Sequence, residues 1–197
     1  MICLVCNKNS LDGLTHPSCK SRYAIDGAFS AVSYKGVVKK LLYNFKYKPY
    51  LSDLKNSLTE LFYESIIQNE EFVRTIQQFN NKAIVLVPIP LHASRLRQRG
   101  YNHAEILAEI LGKKLNLKVT DVLKRVKQTK TQFGLSLKQR KENISGAFML
   151  NTKYLIDNAN VFLVDDILTT GSTLLEAAKI LKKSGVKRVW GLTFARD

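Results

Sequence analysis

The stretch VFLVDDILTTGSTLL, residues 161–175, combines an apolar run, two adjacent carboxylates and a turn rich in hydroxyl groups. Its apolar start predicts a buried strand, and the amphipathic residues from Ser172 onward predict a helix. Asp165 and Asp166 are expected at the carboxyl end of the strand, where two carboxylates can bind the two hydroxyls of a ribose. The loop and the helix start can bind a phosphate through backbone N–H groups, and Gly171 lets the backbone approach it closely. The stretch therefore predicts a site for a ribose-5-phosphate group.

The same pattern also has a purely structural explanation, because many α/β proteins place an acidic or hydroxyl cap between a strand and a helix. Asp165 on its own fits a cap as well as it fits a ligand site, but the complete block favours the ligand site. The block resembles the phosphoribosyl-pyrophosphate (PRPP) motif of the type I phosphoribosyltransferase family. This resemblance implies that Asp165 and Asp166 are the catalytic carboxylates and hold the ribose hydroxyls. It also implies five residues that hold the 5-phosphate: Thr169, Thr170, Gly171, Ser172 and Thr173.

Length and composition favour one soluble α/β domain with a small appendage. The chain has 197 residues, of which 45% are hydrophobic, an ordinary fraction for a folded protein. The longest uncharged apolar run, Ala83–Leu91, is too short to span a bilayer, and the amino terminus does not have the form of a signal peptide. We therefore expect a cytoplasmic protein with no membrane span.

Positive charge is concentrated in the middle of the chain. The formal net charge is +15, and residues 89–142 contain 13 Lys or Arg against 4 Asp or Glu. A field of this sign attracts polyanions such as nucleic acid, pyrophosphate or anionic lipid. A well-solvated basic surface with no partner explains the charge equally well.

All three cysteines lie near the amino terminus, in a C-x-x-C…H-x-x-C pattern. Two close pairs of soft ligands suit a closed, tetrahedral structural zinc site, and a short loop with few apolar residues benefits from a metal for folding. A disulfide bond and a redox-active Cys3/Cys6 pair are the alternatives. The predicted zinc ligands are Cys3, Cys6, His16 and Cys19, and the site fails if His16 points away.

The remaining pattern predicts alternating strands and helices, and hence a parallel, doubly wound sheet. Strands are expected at residues 27–34, 83–88, 118–123, 147–150, 161–164 and 186–194, and helices at 36–47, 52–67 and from Asn102 to about 115. Residues 124–142 are predicted to form a long loop that acts as a lid or binding element. His103 is predicted to face water in the first turn of its helix. His92 is a further candidate in the loop after Pro88, but the sequence shows no residue that could act as its base partner.

Several sequence pieces occur in the order that is typical of the ComF family, which the chain resembles over nearly its whole length. The specific pieces are Arg99-Gly100-Tyr101-Asn102 and, after it, the Asp-Asp…Thr-Thr-Gly block within Val164–Thr173. The departures are His16, where the family commonly has Cys, and His103, where Gln is frequent. The remaining residues that carry the resemblance to the family are Cys3/Cys6/Cys19, Tyr34, Phe45-Lys46-Tyr47, Val87-Pro88-Ile89-Pro90-Leu91, Gln132, Arg140, Asn143 and Gly146-Ala147-Phe148.

This resemblance implies a zinc ribbon at residues 1–24 and a phosphoribosyltransferase-like domain at residues 25–197. It implies that Mg²⁺ binds together with PRPP, bridging pyrophosphate and ribose oxygens. It places pyrophosphate in the loop after the strand that ends at Pro88, with charge from Arg95, Arg97 and Arg99. It makes residues 124–140 the counterpart of a flexible catalytic loop.

Three functions remain open on this basis. The first is PRPP binding in natural competence, with cytoplasmic handling of incoming single-stranded DNA and a helicase or translocation protein as the partner that the family implies. The second is a housekeeping phosphoribosyltransferase of nucleotide or base salvage, which displaces pyrophosphate from ribose C1 with an unidentified nitrogen acceptor. The third is a PRPP-sensing module without catalysis. The basic residues predicted to contact DNA are Arg95, Arg97, Arg99, Lys124, Arg125, Lys127, Lys130, Lys138 and Arg140.

The basic segments contain only Tyr101 and Phe133 as aromatic residues suited to base stacking. DNA binding through these segments is therefore predicted to involve the backbone and to show no sequence preference.

Overall fold

The computed structural model describes residues 2–47, 52–79, 83–129, 136–151 and 159–197. Its centre is a five-stranded sheet in which every neighbouring pair of strands is parallel. The predicted parallel sheet is confirmed. Its strands are β1 (Gly27–Ser33), β2 (Ile84–Pro88), β3 (Lys118–Val119), β6 (Asn160–Leu168) and β7 (Arg188–Arg196), in the spatial order β1-β7-β6-β2-β3.

Seven α-helices, two short 3-10 helices (Leu11–Gly13 and Pro17–Cys19) and a small hairpin accompany this sheet in the described part of the chain. The hairpin pairs β4 (Leu123–Arg125) with β5 (Phe148–Leu150) in antiparallel register. The helices are α1 (Gly36–Tyr47), α2 (Ser52–Ile67), α3 (Glu70–Gln77), α4 (Ala93–Arg99), α5 (His103–Leu115), α6 (Leu137–Ile144) and α7 (Ser172–Lys183). Among the described residues, no helix has both the length and the apolar character needed to cross a bilayer.

The alternation of side chains along β6 explains why both faces of the sheet are covered. Val161 and Leu163 belong to a buried cluster that includes Leu174 and Ala178 of α7. The intervening side chains, Phe162 and Val164, belong to a second cluster on the opposite face, which includes residues of α1, α2, α3 and α5. A strand buried on both faces reads as a continuous apolar run, which is the pattern at residues 161–164.

β6 extends further than the sequence predicts, because its pairing with β7 continues beyond the carboxylates. Leu168 still lies opposite Arg196 in the ladder. Asp165 and Asp166 are therefore fixed by strand hydrogen bonding, and the loop begins only at Thr169.

The prediction that residues 124–142 form a long loop is wrong in two places. The hairpin strand β4 takes the first two of these residues, and α6 begins after Ser136. A capping box starts α6: the Ser136 hydroxyl accepts from the N–H of Gln139 at 3.3 Å, and the Gln139 amide oxygen accepts from the N–H of Ser136 at 2.8 Å. The predicted strand 118–123 is likewise divided between β3 and β4.

The amino-terminal segment packs against the sheet domain. Leu4 and Ile25 are each 1% exposed and belong to the same buried cluster as Leu174, and Leu14 forms an antiparallel bridge with Gly27 of β1. The division into units 1–24 and 25–197 stays a prediction.

Candidate functional site

Two carboxylates lie at the carboxyl edge of the sheet, on the central strand β6. β6 runs between β2 and β7, so loops from neighbouring strands surround its end. A carboxylate oxygen of Asp165 accepts from the N–H of Asp166 at 2.9 Å, and Asp166 is only 8% exposed. The crevice at the carboxyl ends of parallel strands is the usual ligand site of an open α/β sheet.

The loop after β6 leads directly into the amino terminus of α7. Gly171 has φ +71°, a left-handed conformation that strains any residue with a side chain. A pocket lies between this loop and the strand end, and its lining includes Asp165, Thr169, Ser172 and Thr173. The first N–H groups of a helix have no partner within it, so this pocket presents donors and a favourable dipole to an anion.

Gly171 is also packed against the amino-terminal segment. A Cβ atom built on Gly171 would lie 3.0 Å from a methyl carbon of Leu4, closer than side chains normally approach. The position of the loop therefore depends on the segment that carries the cysteines.

Lys46 of α1 reaches the carboxylates from a distant part of the sequence. Its ammonium lies 2.6 Å from a carboxylate oxygen of Asp166. Burial alone would lower the pKa of Lys46, but the Asp166 carboxylate raises it above the usual value. Burial would raise the pKa of Asp166, but the Lys46 charge lowers it below the usual value. Lys46 and Asp166 therefore form an ion pair at neutral pH.

Asp165 behaves in the opposite way. Burial and the neighbouring Asp166 carboxylate raise the pKa of Asp165 to about 7. Two adjacent carboxyl groups with pKa values moved apart are typical of functional sites.

Arginines from two other elements meet at Thr129, and Arg125 is near enough to Asp165 for their charges to interact. Arg95 of α4 donates to the carbonyl oxygen of Thr129 at 2.8 Å, and Arg125 of β4 donates to the Thr129 hydroxyl at 2.5 Å. Burial and the Arg95 charge lower the pKa of Arg125 to about 10, while Asp165 opposes that shift. Burial and then the charge of Arg99 lower the pKa of Arg95. The arginines therefore form a concentrated positive field beside Asp165.

The other predicted basic residues are dispersed. Arg97 is exposed and, two residues from Arg95 and Arg99, projects from another side of α4. Lys127 donates to the carbonyl oxygen of Ser145 at 3.3 Å. Lys124 and Lys138 are exposed, Arg140 is half-buried on α6, and Lys130 lies outside the described residues.

The Arg99-Gly100-Tyr101-Asn102 piece shapes the loop that follows β2. Gly100 ends α4 with φ +80°, and the Tyr101 hydroxyl donates to the carbonyl oxygen of Phe45. The Asn102 side chain accepts from the N–H of Ala104 at 3.3 Å and donates to the carbonyl oxygen of Ile89 at 3.1 Å. This piece therefore ties the segment after Pro88, itself buried at the end of β2, to α1 and α5.

The prediction that His103 faces water is wrong. Its side chain is 3% exposed and packs edge-on against Phe45, with ring centroids 5.2 Å apart. Burial lowers the pKa of His103 to about 4, so the ring is neutral at pH 7. His92 has a capping role: its Nδ1 accepts from the N–H of Ser94 at the start of α4.

The amino-terminal cysteines and His16 form a compact group. The potential ligand atoms of Cys3, Cys6, His16 and Cys19 all lie within 4.8 Å of one another. The Cys6 sulfur is 3.3 Å from Nδ1 of His16, so His16 faces the cysteines. These distances fit a tetrahedral site with metal–sulfur bonds of about 2.3 Å and metal–nitrogen bonds of about 2.0 Å, and the group could hold a metal ion.

Hydrogen bonds around this group favour metal ligation. Nε2 of His16 lies 2.8 Å from the carbonyl oxygen of Asn9, which keeps the proton on Nε2 and turns the Nδ1 lone pair toward Cys6. Burial alone would raise the pKa of Cys3, but backbone N–H groups of His16, Cys6 and Val5 lower it to about 7. A thiolate is the form that binds metal.

Comparison with known proteins identifies the fold family. The family model described as "Phosphoribosyl transferase domain" matches residues 66–196, which is more than half of the chain. That range contains the carboxylates, the loop at the start of α7 and the arginines of α4.

Three curated relatives are named as competence proteins or as a DNA utilization protein. Competence protein F of Haemophilus influenzae is 45% identical over 114 residues, 56% of this chain and 50% of that protein. DNA utilization protein YhgH of Escherichia coli is 34% identical over 110 residues, 54% of this chain and 48% of that protein. Competence protein ComFC of Bacillus subtilis is 30% identical over 158 residues, 79% of this chain and 58% of that protein. The chain thus spans about half the length of the curated relatives it matches.

Proposed function

Because the chain belongs to the phosphoribosyl transferase domain family, as a ComF-type protein, we propose that it binds PRPP and takes part in natural transformation. In this role it handles incoming single-stranded DNA in the cytoplasm. The observation that carries the proposal is the pocket between Asp165 and the start of α7, where paired carboxylates and helix N–H groups meet. A ribose that carries a 5-phosphate matches both halves of this pocket.

Each part of PRPP has a group of residues to bind it. Asp165 and Asp166 accept hydrogen bonds from the ribose hydroxyls. The 5-phosphate lies against the residues 169–173 and the amino terminus of α7. The pyrophosphate lies beside the segment after Pro88, where Arg95 and Arg99 neutralise its charge, with Arg97 at the rim.

Two metal ions complete the proposal. Mg²⁺ would bind together with PRPP beside the negative charge of Asp165 and Asp166, and it would supply charge neutralisation of the pyrophosphate. Zinc suits the amino-terminal group because two close pairs of sulfur and nitrogen donors form a closed site. This zinc has a structural role and holds Leu4 against the phosphate loop.

The raised pKa of Asp165 predicts that the affinity for PRPP depends on pH. A protonated Asp165 cannot accept a hydrogen bond from ribose at the protonated oxygen, so binding must release its proton when the pH lies below about 7. We expect affinity for PRPP, at saturating Mg²⁺, to rise about tenfold between pH 6 and pH 8, since the ionised fraction of a group with this pKa rises about tenfold over that range.

This pH dependence can be measured by calorimetric titration in buffers of different ionisation enthalpy. The phosphates of PRPP also titrate in this range, so the Asp165→Asn variant serves as the control and should show a flatter profile. Identical profiles for the two proteins would contradict the role of Asp165.

The nucleic-acid part of the proposal rests on charge and on the names of the relatives. Residues 89–142 carry 13 basic against 4 acidic residues, and Lys124, Lys127 and Lys138 among them are exposed. Such residues bind phosphate backbones without sequence preference. A competence helicase or translocation protein is the proposed partner that delivers the strand.

A salt titration tests whether PRPP and DNA share the positive surface. We expect affinity for a labelled single-stranded oligonucleotide to fall as salt rises, with a slope that corresponds to roughly four or more phosphate contacts. Saturating PRPP should reduce that slope, because pyrophosphate occupies some of the same arginines. An oligonucleotide affinity that is independent of salt would contradict the proposed DNA surface.

A further inference from the structure

The outer face of α1 carries two exposed tyrosines next to each other. Tyr43 is 60% exposed and Tyr47 is 56% exposed. They are one helical turn apart, and their ring centroids lie 4.9 Å apart at an angle of 44°. Large aromatic surfaces held at this exposure are a usual sign of a binding site.

Basic groups surround this pair. The Arg99 guanidinium lies 5.2 Å from the centroid of the Tyr47 ring, and one of its nitrogens is 3.5 Å from the Tyr47 hydroxyl. Lys40 is exposed and precedes Tyr43 by three positions and Tyr47 by seven, which places it on the same face of α1. Aromatic rings and positive charges therefore share one surface.

This surface is continuous with the candidate PRPP site. α1 also carries Lys46, whose ammonium lies 2.6 Å from Asp166, so the helix borders the carboxylates. Arg99 lies next to both sites, since it contacts the Tyr47 ring and its charge also acts on Asp166. Burial raises the pKa of Asp166, while the charge of Lys46 and, less strongly, that of Arg99 lower it.

We infer that Tyr43 and Tyr47, with Arg99 and Lys40, form a stacking surface for the bases of single-stranded DNA. The inference rests on the proposed function, and it adds base contacts to the backbone contacts predicted from the sequence. Aromatic faces bind unstacked bases while the adjacent cations bind the phosphates between them. A duplex keeps its bases stacked and cannot use the rings, and an acidic protein would use the cations only.

The two aromatic residues noted in the sequence do not supply this surface. Tyr101 is half-buried, with its hydroxyl bonded to Phe45 and its ring beside His103, and Phe133 lies outside the described residues. The stacking residues come instead from α1, more than 50 positions before Arg99 in the sequence.

The test compares two labelled strands of equal length, one of oligothymidine and one of abasic sugar-phosphate, by fluorescence anisotropy. The Tyr43→Leu/Tyr47→Leu variant is expected to bind oligothymidine at least about tenfold more weakly than the unsubstituted protein. Its affinity for the abasic strand should stay unchanged. Tyr43→Phe/Tyr47→Phe should restore binding of oligothymidine, and Met149→Ala, at an exposed apolar position on β5, should have no effect.

Other outcomes overturn the inference in distinguishable ways. If the unsubstituted protein binds neither strand, the DNA part of the proposed function fails as well. If the leucine variant binds oligothymidine normally, only the stacking surface fails. Normal oligothymidine binding with weakened binding of a free nucleobase would instead assign the tyrosines to a base acceptor.

Discussion

Replacement of both Asp165 and Asp166 by asparagine is expected to reduce affinity for PRPP at least about 100-fold. In the proposed complex each carboxylate accepts a charge-assisted hydrogen bond from a ribose hydroxyl, and such bonds contribute about 1.5–3 kcal/mol each. The amide side chains also lack the negative charge that would attract the Mg²⁺ bound with PRPP. Calorimetric titration with PRPP at saturating Mg²⁺ measures the change, and circular dichroism checks the fold.

The design must separate ligand binding from stability, because Asp166 also balances the charge of Lys46. Asp165→Asn alone leaves that ion pair intact and should still weaken PRPP binding. Glu60→Gln is the matched control, since it removes a carboxylate that lies 2.6 Å from the Lys114 ammonium on another surface. Near-normal PRPP affinity in a folded double variant would refute the assignment of the ribose site.

Loss of the amino-terminal metal is expected to have the second large effect. Elemental analysis should find about one zinc per chain, and Cys6→Ala/Cys19→Ala should reduce zinc to background. We expect the melting temperature of that variant to fall by roughly 10 °C, because a loss of about 3–4 kcal/mol corresponds to this shift in a chain of this size. PRPP affinity should fall too, because Leu4 packs against Gly171.

The control for the zinc prediction comes from the same short turn. Ser18 is exposed and adjacent to Cys19, so Ser18→Ala should retain zinc, melting temperature and PRPP affinity. A purified protein that is folded and free of metal would contradict the proposed site, as would a Cys6→Ala/Cys19→Ala variant with unchanged zinc content.

The sequence predicts the site best where the signal is local. Residues 161–175 contain a strand, a loop and a helix start, and their order predicts where the carboxylates and the pocket at the start of α7 lie. Cys3, Cys6, His16 and Cys19 likewise lie within 17 positions of one another, so their spacing alone predicts a compact group. The structure brings these four residues together as expected.

The contacts that the sequence does not predict join distant segments. Lys46 contacts Asp166 although the two residues are about 120 positions apart in the sequence. The sequence around Lys46 shows only a basic residue near the end of an amphipathic helix, which does not predict this contact. Tyr47 likewise meets Arg99 of α4, next to the point where Tyr101 is bonded to Phe45 of α1. The sequence predicts an exposed His103 because a position in the first turn of α5 does not reveal that Phe45 of α1 packs against it.

Two boundaries of helices and strands differ from the prediction, each for its own physical reason. The polar residues 124–142 show no strong apolar periodicity, so the capping box at Ser136 and Gln139 is the only sequence signal for α6. β6 extends past Asp165 because its partner β7 continues beside it to Arg196, and the pairing of strands is a tertiary property.

Calorimetric titration of the unsubstituted protein with PRPP and Mg²⁺ tests the central claim most directly. We predict saturable binding of one PRPP per chain that is strongly weakened when Mg²⁺ is omitted, because Asp165 and Asp166 then lack the ion that shields them from the pyrophosphate. Binding of PRPP should also change when a single-stranded oligonucleotide is already present. No detectable binding of PRPP to the folded, zinc-loaded protein, with or without the oligonucleotide, would contradict the account.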